Sequence, residues 1–233
     1  MNQTITIEAL KAQAAQKAVE HVQSGMILGL GTGSTAKYAI AAIGEKWQRG
    51  ELKDIVAIAT SKASEAQAQS LGIPLKELDH WGVDVAIDGM DELSPDLQAI
   101  KGLGGALTRE KIVESRAKKL ILIADESKRV EHLGQKAPLP IEVIPLAHRA
   151  ILAEIAAMPE CLKLNLRQSQ SQTFITDNGN YILDCHLQAF DPQALALRLK
   201  LIPGVVEHGL FLDMAQLAYI ATPQGVICLE RKA

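Results

Sequence analysis

Hydrophobic positions in the first half of the chain follow two alternating periods. Ile7, Leu10, Ala14, Ala18 and Val22 recur at helical spacing, and Ser24-Gly25 can end that helix before the apolar run "MILGLG" at 26–31. The same order then returns. The pattern predicts a helix with a hydroxyl N-cap over 34–50, a buried strand "IVAIAT" at 55–60, a helix over 61–72 closed by Gly72, and a strand "VDVAID" at 83–88. A further helix is expected over 106–118, bringing Leu107, Ile112 and Val113 together with Lys118 and Lys119 at its end, before the strand "LILIAD" at 120–125. Apolar strands alternating with helices predict a mostly parallel sheet covered on both faces.

After "GQKAPLP" at 134–140 the pattern changes. "IEVIPL", "LKLNLR", "QTFIT" and "NYILDCHL" read as short strands, and "DNGN" at 177–180 holds the Asn-Gly pair that tight hairpins favour. Two helices lie among them, "HRAILAEIAAM" and "DPQALALRLKLI", the second with Asp191 as cap and Pro192 in its first turn. The strands "QLAYIAT" and "GVICLER" close the chain and either return to the first sheet or extend the second domain. The expected class is α/β. A Rossmann-like, mostly parallel sheet with helices on both faces occupies 1–134 and about 209–233, and a smaller α+β, ferredoxin-like domain occupies about 135–208.

Composition narrows the function. The 233 residues carry a formal charge of -3 without a Lys/Arg-rich run, and aromatics are 3%, which argues against nucleic acid as a partner. No apolar stretch is long enough to span a bilayer and the N-terminus is polar, so no membrane partner and a cytoplasmic location are expected. Cys161, Cys185 and Cys228 are odd in number and far apart, which predicts buried free thiols. None of the six histidines has HExxH or HxxxH spacing, so no metal site is expected.

Candidate chemistry collects at predicted strand ends, where parallel α/β sheets place ligands. "LGLGTGSTA" at 28–36 satisfies the permissive GxGxx(G/A) form through Gly31, Gly33 and Ala36. The second strand, however, ends in Thr60-Ser61-Lys62 and not in the acidic residue a dinucleotide ribose needs. What remains is a flexible backbone with Ser34 and Thr35 beside unpaired helix amides, which suits a phosphate monoester. The plain alternative is a tight turn with Ser34 capping its helix, and Thr32 is equally open. "DVAIDGMDEL" ends a strand in Asp88, followed by Asp91 and Glu92, carboxylates able to hold sugar hydroxyls or exchange protons, or else a solvated acidic turn. "KGLGGALTREKI" joins Lys101, able to neutralise an oxyanion, to Glu110, a candidate general base or a solvated helical residue paired with a neighbour. "IADESK" sets Lys128 just beyond a fourth strand, where it can reach a phosphate or simply face solvent.

Together, "GLGTGSTA", "DGMDE", "KGLGGALTREKI" and "IADESK", in this order, resemble the type A ribose-5-phosphate isomerase family, and "LPIEVIP", "TDNGNYILD" and "IPGVVEHGLF" extend the resemblance over most of the chain. The resemblance implies an aldose-ketose isomerase of the pentose phosphate pathway, a homodimer acting on a small sugar phosphate without organic cofactor or catalytic metal. It implies that Glu110 moves a proton between C2 and C1 through an enediolate, with Asp88, Asp91 and Lys101 completing the catalytic set. Substrate binding would fall to Thr32, Gly33, Ser34 and Thr35, to Asp88, Gly89, Met90 and Asp91, to Lys101, Gly102, Leu103 and Gly104, and to Lys128 and Lys11. Leu103 and Met90 depart from the family pattern, Leu103 replacing a glycine at a place where a positive φ would be strained. Related folds serve deaminases, CoA transferases and effector domains of repressors. Only 25 residues precede the first predicted strand, too few for a DNA-binding helix-turn-helix.

Overall fold

The computed structural model describes residues 5–80 and 82–231. In chain order the elements are α1 (Ile7–Val19), β1 (Ile27–Leu30), α2 (Ala36–Gln48), β2 (Val56–Ala59), α3 (Lys62–Ser70), β3 (Val83–Gly89), β4 (Glu92–Leu93), β5 (Ala99–Ile100), α4 (Leu107–Glu114) and β6 (Ala117–Asp125). They continue with β7 (Leu139–Val143), α5 (His148–Ala156), β8 (Cys161–Leu166), β9 (Gln168–Ser169), β10 (Gln172–Thr173), β11 (Tyr181–Leu187), α6 (Pro192–Lys200), β12 (Val205–His208), β13 (Leu210–Phe211), β14 (Leu217–Thr222) and β15 (Gly225–Glu230). Two compact units result. The first takes the described residues of Met1–Met90, Arg109–Lys128 and Met214–Ala233, and the second takes Asp91–Thr108 and Arg129–Asp213.

The first unit is built on a six-stranded sheet in the order β15-β14-β6-β3-β1-β2. Five strands run parallel and β15 is antiparallel at the edge. Strand alternation sends Leu28 and Leu30 into a core with Leu10, Ala14 and Ala18 of α1 and Ile40 and Ile43 of α2. Gly29 faces the other way, where a Cβ would stand 3.1 Å from Val113 Cγ1 of α4, so helices cover both faces as expected. The closing strands return to this sheet, β14 lying parallel to β6.

Helix α4 is shorter than its pattern predicts. Ala117 pairs with Val83 and Lys119 with Val85, so these residues begin β6, and Lys118 donates to Asp84 Oδ1 at 2.8 Å. Two lysines and an alanine favour helix locally, but pairing with a central strand outweighs that preference. All three cysteines are free thiols, but only Cys185 is buried, and Cys228 is exposed because β15 is an edge strand.

The second unit runs β7-α5-β8-β11-α6-β12, a β-α-β-β-α-β order with its sheet arranged β12-β7-β11-β8 and every pair antiparallel, the ferredoxin-like arrangement. Its core joins Leu139, Ile141 and Val143 to Ile151, Ile155, Leu195 and Leu199. Asp191 caps α6, accepting from the N–H of Gln193 at 2.9 Å and of Ala194 at 3.1 Å, with Pro192 in the first turn.

This unit also takes in 91–108, 129–134 and 209–213, which the sequence pattern places in the first. The cause is a second sheet, β13-β5-β4, whose two-residue strands are too short to show a period. The buried Glu92 carboxylate binds the same segments, accepting from the N–H of Gly134 at 2.6 Å, of Ala137 at 2.7 Å and of Lys136. The "DNGN" turn joins no paired strands, since β10 pairs with β9 and β11 with β7 and β8. Its Asn178 and Asn180 side chains instead donate to the Glu142 carboxylate of β7.

Candidate active site

Because β1, β2, β3 and β6 are parallel, their C-terminal ends share one edge of the first sheet. That edge carries Gly31 to Thr35 after β1, Thr60 and Ser61 after β2, Asp88 at the end of β3, and Lys128 in a single turn, Glu126–Lys128, after β6. Asp88 is fully buried, and its Oδ1 accepts from the N–H of Thr32 at 2.8 Å and of Gly89 at 2.6 Å. Gly31 makes this approach possible, since a Cβ there would lie 2.1 Å from Asp88 Oδ1. Gly33 is required for a different reason, its φ of +105°.

Gly31→Ala should therefore displace the Asp88 carboxylate. We expect a stability loss of about 1–3 kcal/mol for the overpacking and a fall in turnover that exceeds any change in the folded fraction. Turnover equal to the parent's would mean that Asp88 has no fixed role.

The Thr32 hydroxyl turns toward a buried hydroxyl cluster, meeting Thr60 Oγ1 at 2.7 Å, Ser61 Oγ at 2.8 Å and Ser64 Oγ at 2.9 Å. Ser61 also caps α3 through the Ser64 N–H at 3.1 Å. The strand without an acidic end thus ends in hydroxyls that lock the glycine loop. The run "TSKAS" at 60–64 carries these hydroxyls, but nothing in its spacing marks them as partners of Thr32.

Ser34 does not cap α2. Thr35 holds the N-cap position and its side chain makes no capping hydrogen bond, while the first intrahelical bond there runs from the Lys37 N–H to Gly33 O at 3.2 Å. Both hydroxyls therefore stand beside helix amides that precede that bond.

Glu110 lies in α4 with 3% of its surface exposed. This helix leads back to the start of β6, so it runs antiparallel to the strands. Val113 packs at Gly29 in the middle of β1, which puts Glu110, one turn earlier, toward the strands' C-terminal edge. Lys128 is half-buried, in a turn where Asp125 Oδ1 accepts from the Ser127 N–H at 3.0 Å. Lys11 is engaged with Glu8 at 2.9 Å, and Glu8 also meets Lys37 at 3.4 Å and the Tyr38 hydroxyl. The Tyr38 hydroxyl, followed by Lys11, holds the Glu8 carboxyl at about 2.

The second unit holds Asp91 and the Lys101–Gly105 turn. The Leu103 N–H donates to Asp91 Oδ2 at 2.9 Å. Lys101 is 2% exposed, with its N–H on Gly209 O at 2.9 Å and its ammonium 5.2 Å from the centre of the Phe211 ring. The residue that departs from the family pattern is accommodated: positive φ values fall on Gly102 (+106°) and Gly105 (+83°), not on Leu103, whose side chain is 41% exposed. Met90, in the first unit, is buried.

Glu142 of β7 was not anticipated. Fully buried, its Oε2 accepts from Thr108 Oγ1 at 2.6 Å, and its Oε1 accepts from Thr176 Oγ1 at 2.9 Å, Asn178 Nδ2 at 3.2 Å and Asn180 Nδ2 at 2.9 Å. Thr108 stands in the first turn of α4, two residues before Glu110. The polar "TDNGN" run was the available signal, but it reads more simply as a turn.

Compared with known proteins, residues 56–225 match the family described as ribose 5-phosphate isomerase A (phosphoriboisomerase A). The chain belongs to the ribose-5-phosphate isomerase A family. Ribose-5-phosphate isomerase A of Deinococcus radiodurans is 52% identical over 227 residues, covering 97% of this chain and 99% of that protein. A solved ribose 5-phosphate isomerase from Plasmodium falciparum superposes with a TM-score of 0.94 at 40% identity, covering 97% of this chain and all of the other. A D-ribose-5-phosphate isomerase solved in complex with phospho-erythronic acid superposes with a TM-score of 0.93 at 44% identity, again over 97% of this chain and 100% of its own.

Proposed function

We propose that the chain is a cytoplasmic ribose-5-phosphate isomerase, interconverting D-ribose 5-phosphate and D-ribulose 5-phosphate in the non-oxidative pentose phosphate pathway. The observation that carries the reading is Glu110, a carboxylate 3% exposed, near the start of a helix that begins toward the strand edge holding Asp88 and the 31–35 loop. In the proposed mechanism Glu110 takes the proton from C2 of the open-chain aldose and returns it to C1. The electrons of the C2–H bond form the C1=C2 double bond while the carbonyl pair moves onto the C1 oxygen. A proton passes from the C2 hydroxyl to the C1 oxygen, and as C2=O forms the double-bond pair takes the proton back from Glu110 at C1. Lys101 supplies positive charge for the C1 oxygen, and Asp88 and Asp91 hold sugar hydroxyls.

The phosphate is assigned to Ser34, Thr35 and the α2 N-terminus, with Lys128 and Lys11 as cations. Gly33, Gly89, Met90, Gly102, Leu103 and Gly104 line the bound sugar, and Thr32 shapes the loop that holds it. The relative's ligand, phospho-erythronic acid, is a phosphorylated sugar acid, with a phosphate and a carboxylate to match the two ends of this assignment. No organic cofactor or metal is assigned. Three free thiols suit a reducing compartment.

The same reading includes a homodimer. Leu146 at 95% and Leu201 at 81% exposure leave apolar surface on the second unit for a second copy to cover, and a solution mass equal to a single chain would remove that part of the proposal. The main test is incubation of EDTA-treated protein with ribose 5-phosphate, following ketose formation. Rapid conversion is expected. Binding of ribose 5-phosphate without turnover would instead favour a non-enzymatic effector-binding module.

A further inference from the structure

We propose that Arg167 is a positioning residue for this reaction, its guanidinium orienting the Lys101–Gly105 turn and, through one peptide group, the Asp91 carboxylate. The inference rests on the isomerase reading. Arg167 directly follows β8, and its side chain is 11% exposed. Nε donates to Asp184 Oδ2 at 2.8 Å and Nη2 donates to Asp184 Oδ1, a forked pair that sets the guanidinium plane. Nη1 then donates to Gly102 O at 2.9 Å and to Leu103 O at 3.0 Å. The guanidinium lies 5.7 Å from the centre of the Phe174 ring, and a Cβ on Gly105 would come within 2.4 Å of that ring. Arg167 and Phe174 thus form the floor of the turn.

Peptide geometry carries the effect across the turn. A trans peptide directs its C=O and N–H to opposite sides, and no cis bond occurs among the described residues. The Gly102 carbonyl and the Leu103 N–H belong to one such group, whose oxygen is on Arg167 and whose N–H donates to Asp91 Oδ2 at 2.9 Å. In the next group the Leu103 carbonyl meets the same Nη1, so the Gly104 N–H is directed away from Arg167. Gly102, at φ +106°, turns the chain from Lys101 into this pair of peptide groups. Without the guanidinium, Gly102 O keeps, among the described residues, the Gly105 N–H at 3.0 Å. Both peptide groups can then rotate, and the amide donated to Asp91 Oδ2 is no longer fixed. A lysine ammonium cannot hold Asp184 through two parallel bonds while also spanning both carbonyls.

The test compares steady-state kinetics of the whole protein with those of Arg167→Lys and Arg167→Ala, each normalised to folded protein, with Arg167→Ala also assayed in millimolar guanidinium. For Arg167→Lys kcat should fall roughly 10- to 100-fold, the scale of a small misplacement of reacting groups. KM should change much less, because the phosphate is assigned to the first unit. Guanidinium should restore part of the turnover of Arg167→Ala. Amide hydrogen exchange of Leu103 and Gly105 should accelerate in both variants, a readout that needs no activity. Parent-like kcat and exchange in Arg167→Lys, or a loss in Arg167→Ala that follows the unfolded fraction and ignores guanidinium, would overturn the proposal. An inactive parent would overturn the isomerase reading alone, and the exchange rates would still decide whether Arg167 holds the turn.

Discussion

Glu110→Gln is expected to reduce turnover by roughly 10²- to 10⁴-fold, the range for loss of a general base. The substitution preserves the shape and volume of a side chain that is 3% exposed, so packing in α4 should survive. What disappears is basicity. An amide cannot take the C2 proton, so exchange of that hydrogen with solvent deuterium should stop along with ketose formation. Ribose 5-phosphate binding should change little, because the phosphate and hydroxyl contacts are assigned to other residues. Side-by-side assays of turnover, C2 exchange and binding decide the matter, and a variant that still exchanges the C2 hydrogen at the parent's rate would transfer the base to another group.

The largest effect on stability is expected at Glu142. Its carboxylate is fully buried among four neutral donors, with no cation at ion-pair distance among the described residues. Desolvation of that charge is offset only while the donors stay in place. Glu142→Ala removes the acceptor, opens a cavity and leaves two hydroxyls and two amides to find other partners, at a cost of about 3–5 kcal/mol. Glu142→Gln keeps the volume and one acceptor oxygen and should lose less. Denaturant unfolding of the three proteins measures the order. A Glu142→Ala loss below about 1 kcal/mol would show that the cluster repacks or hydrates. Because Thr108 is one of the four donors, the folded Glu142→Ala protein should also have a looser first turn in α4.

The sequence alone determined the layered class, the order of the large elements and the place of the glycine loop at 31–35 between a strand and a helix. Each of these is local. Apolar runs at 27–30, 56–59 and 83–89 alternate with helical periods, and Asp191-Pro192 caps the helix it precedes, so nearest-neighbour chemistry is enough to read them. The family resemblance was legible for a related reason, because its motifs are contiguous segments at strand ends.

Tertiary structure decided what depends on partners distant in sequence. Ala117 to Lys119 join a strand because Val83 to Val85 lie beside them, and 91–108 join the second unit because Leu210 and Phe211 pair with Ile100 and Ala99. Glu142 and Arg167 could not be singled out by pattern, since a strand glutamate and a strand-end arginine look solvated until four donors converge on one and two carbonyls on the other. A hydrogen bond spanning 34 residues, such as that from Thr108 to Glu142, leaves no period in the chain. Burial turns such a contact from optional to required, and burial exists only once the chain has folded.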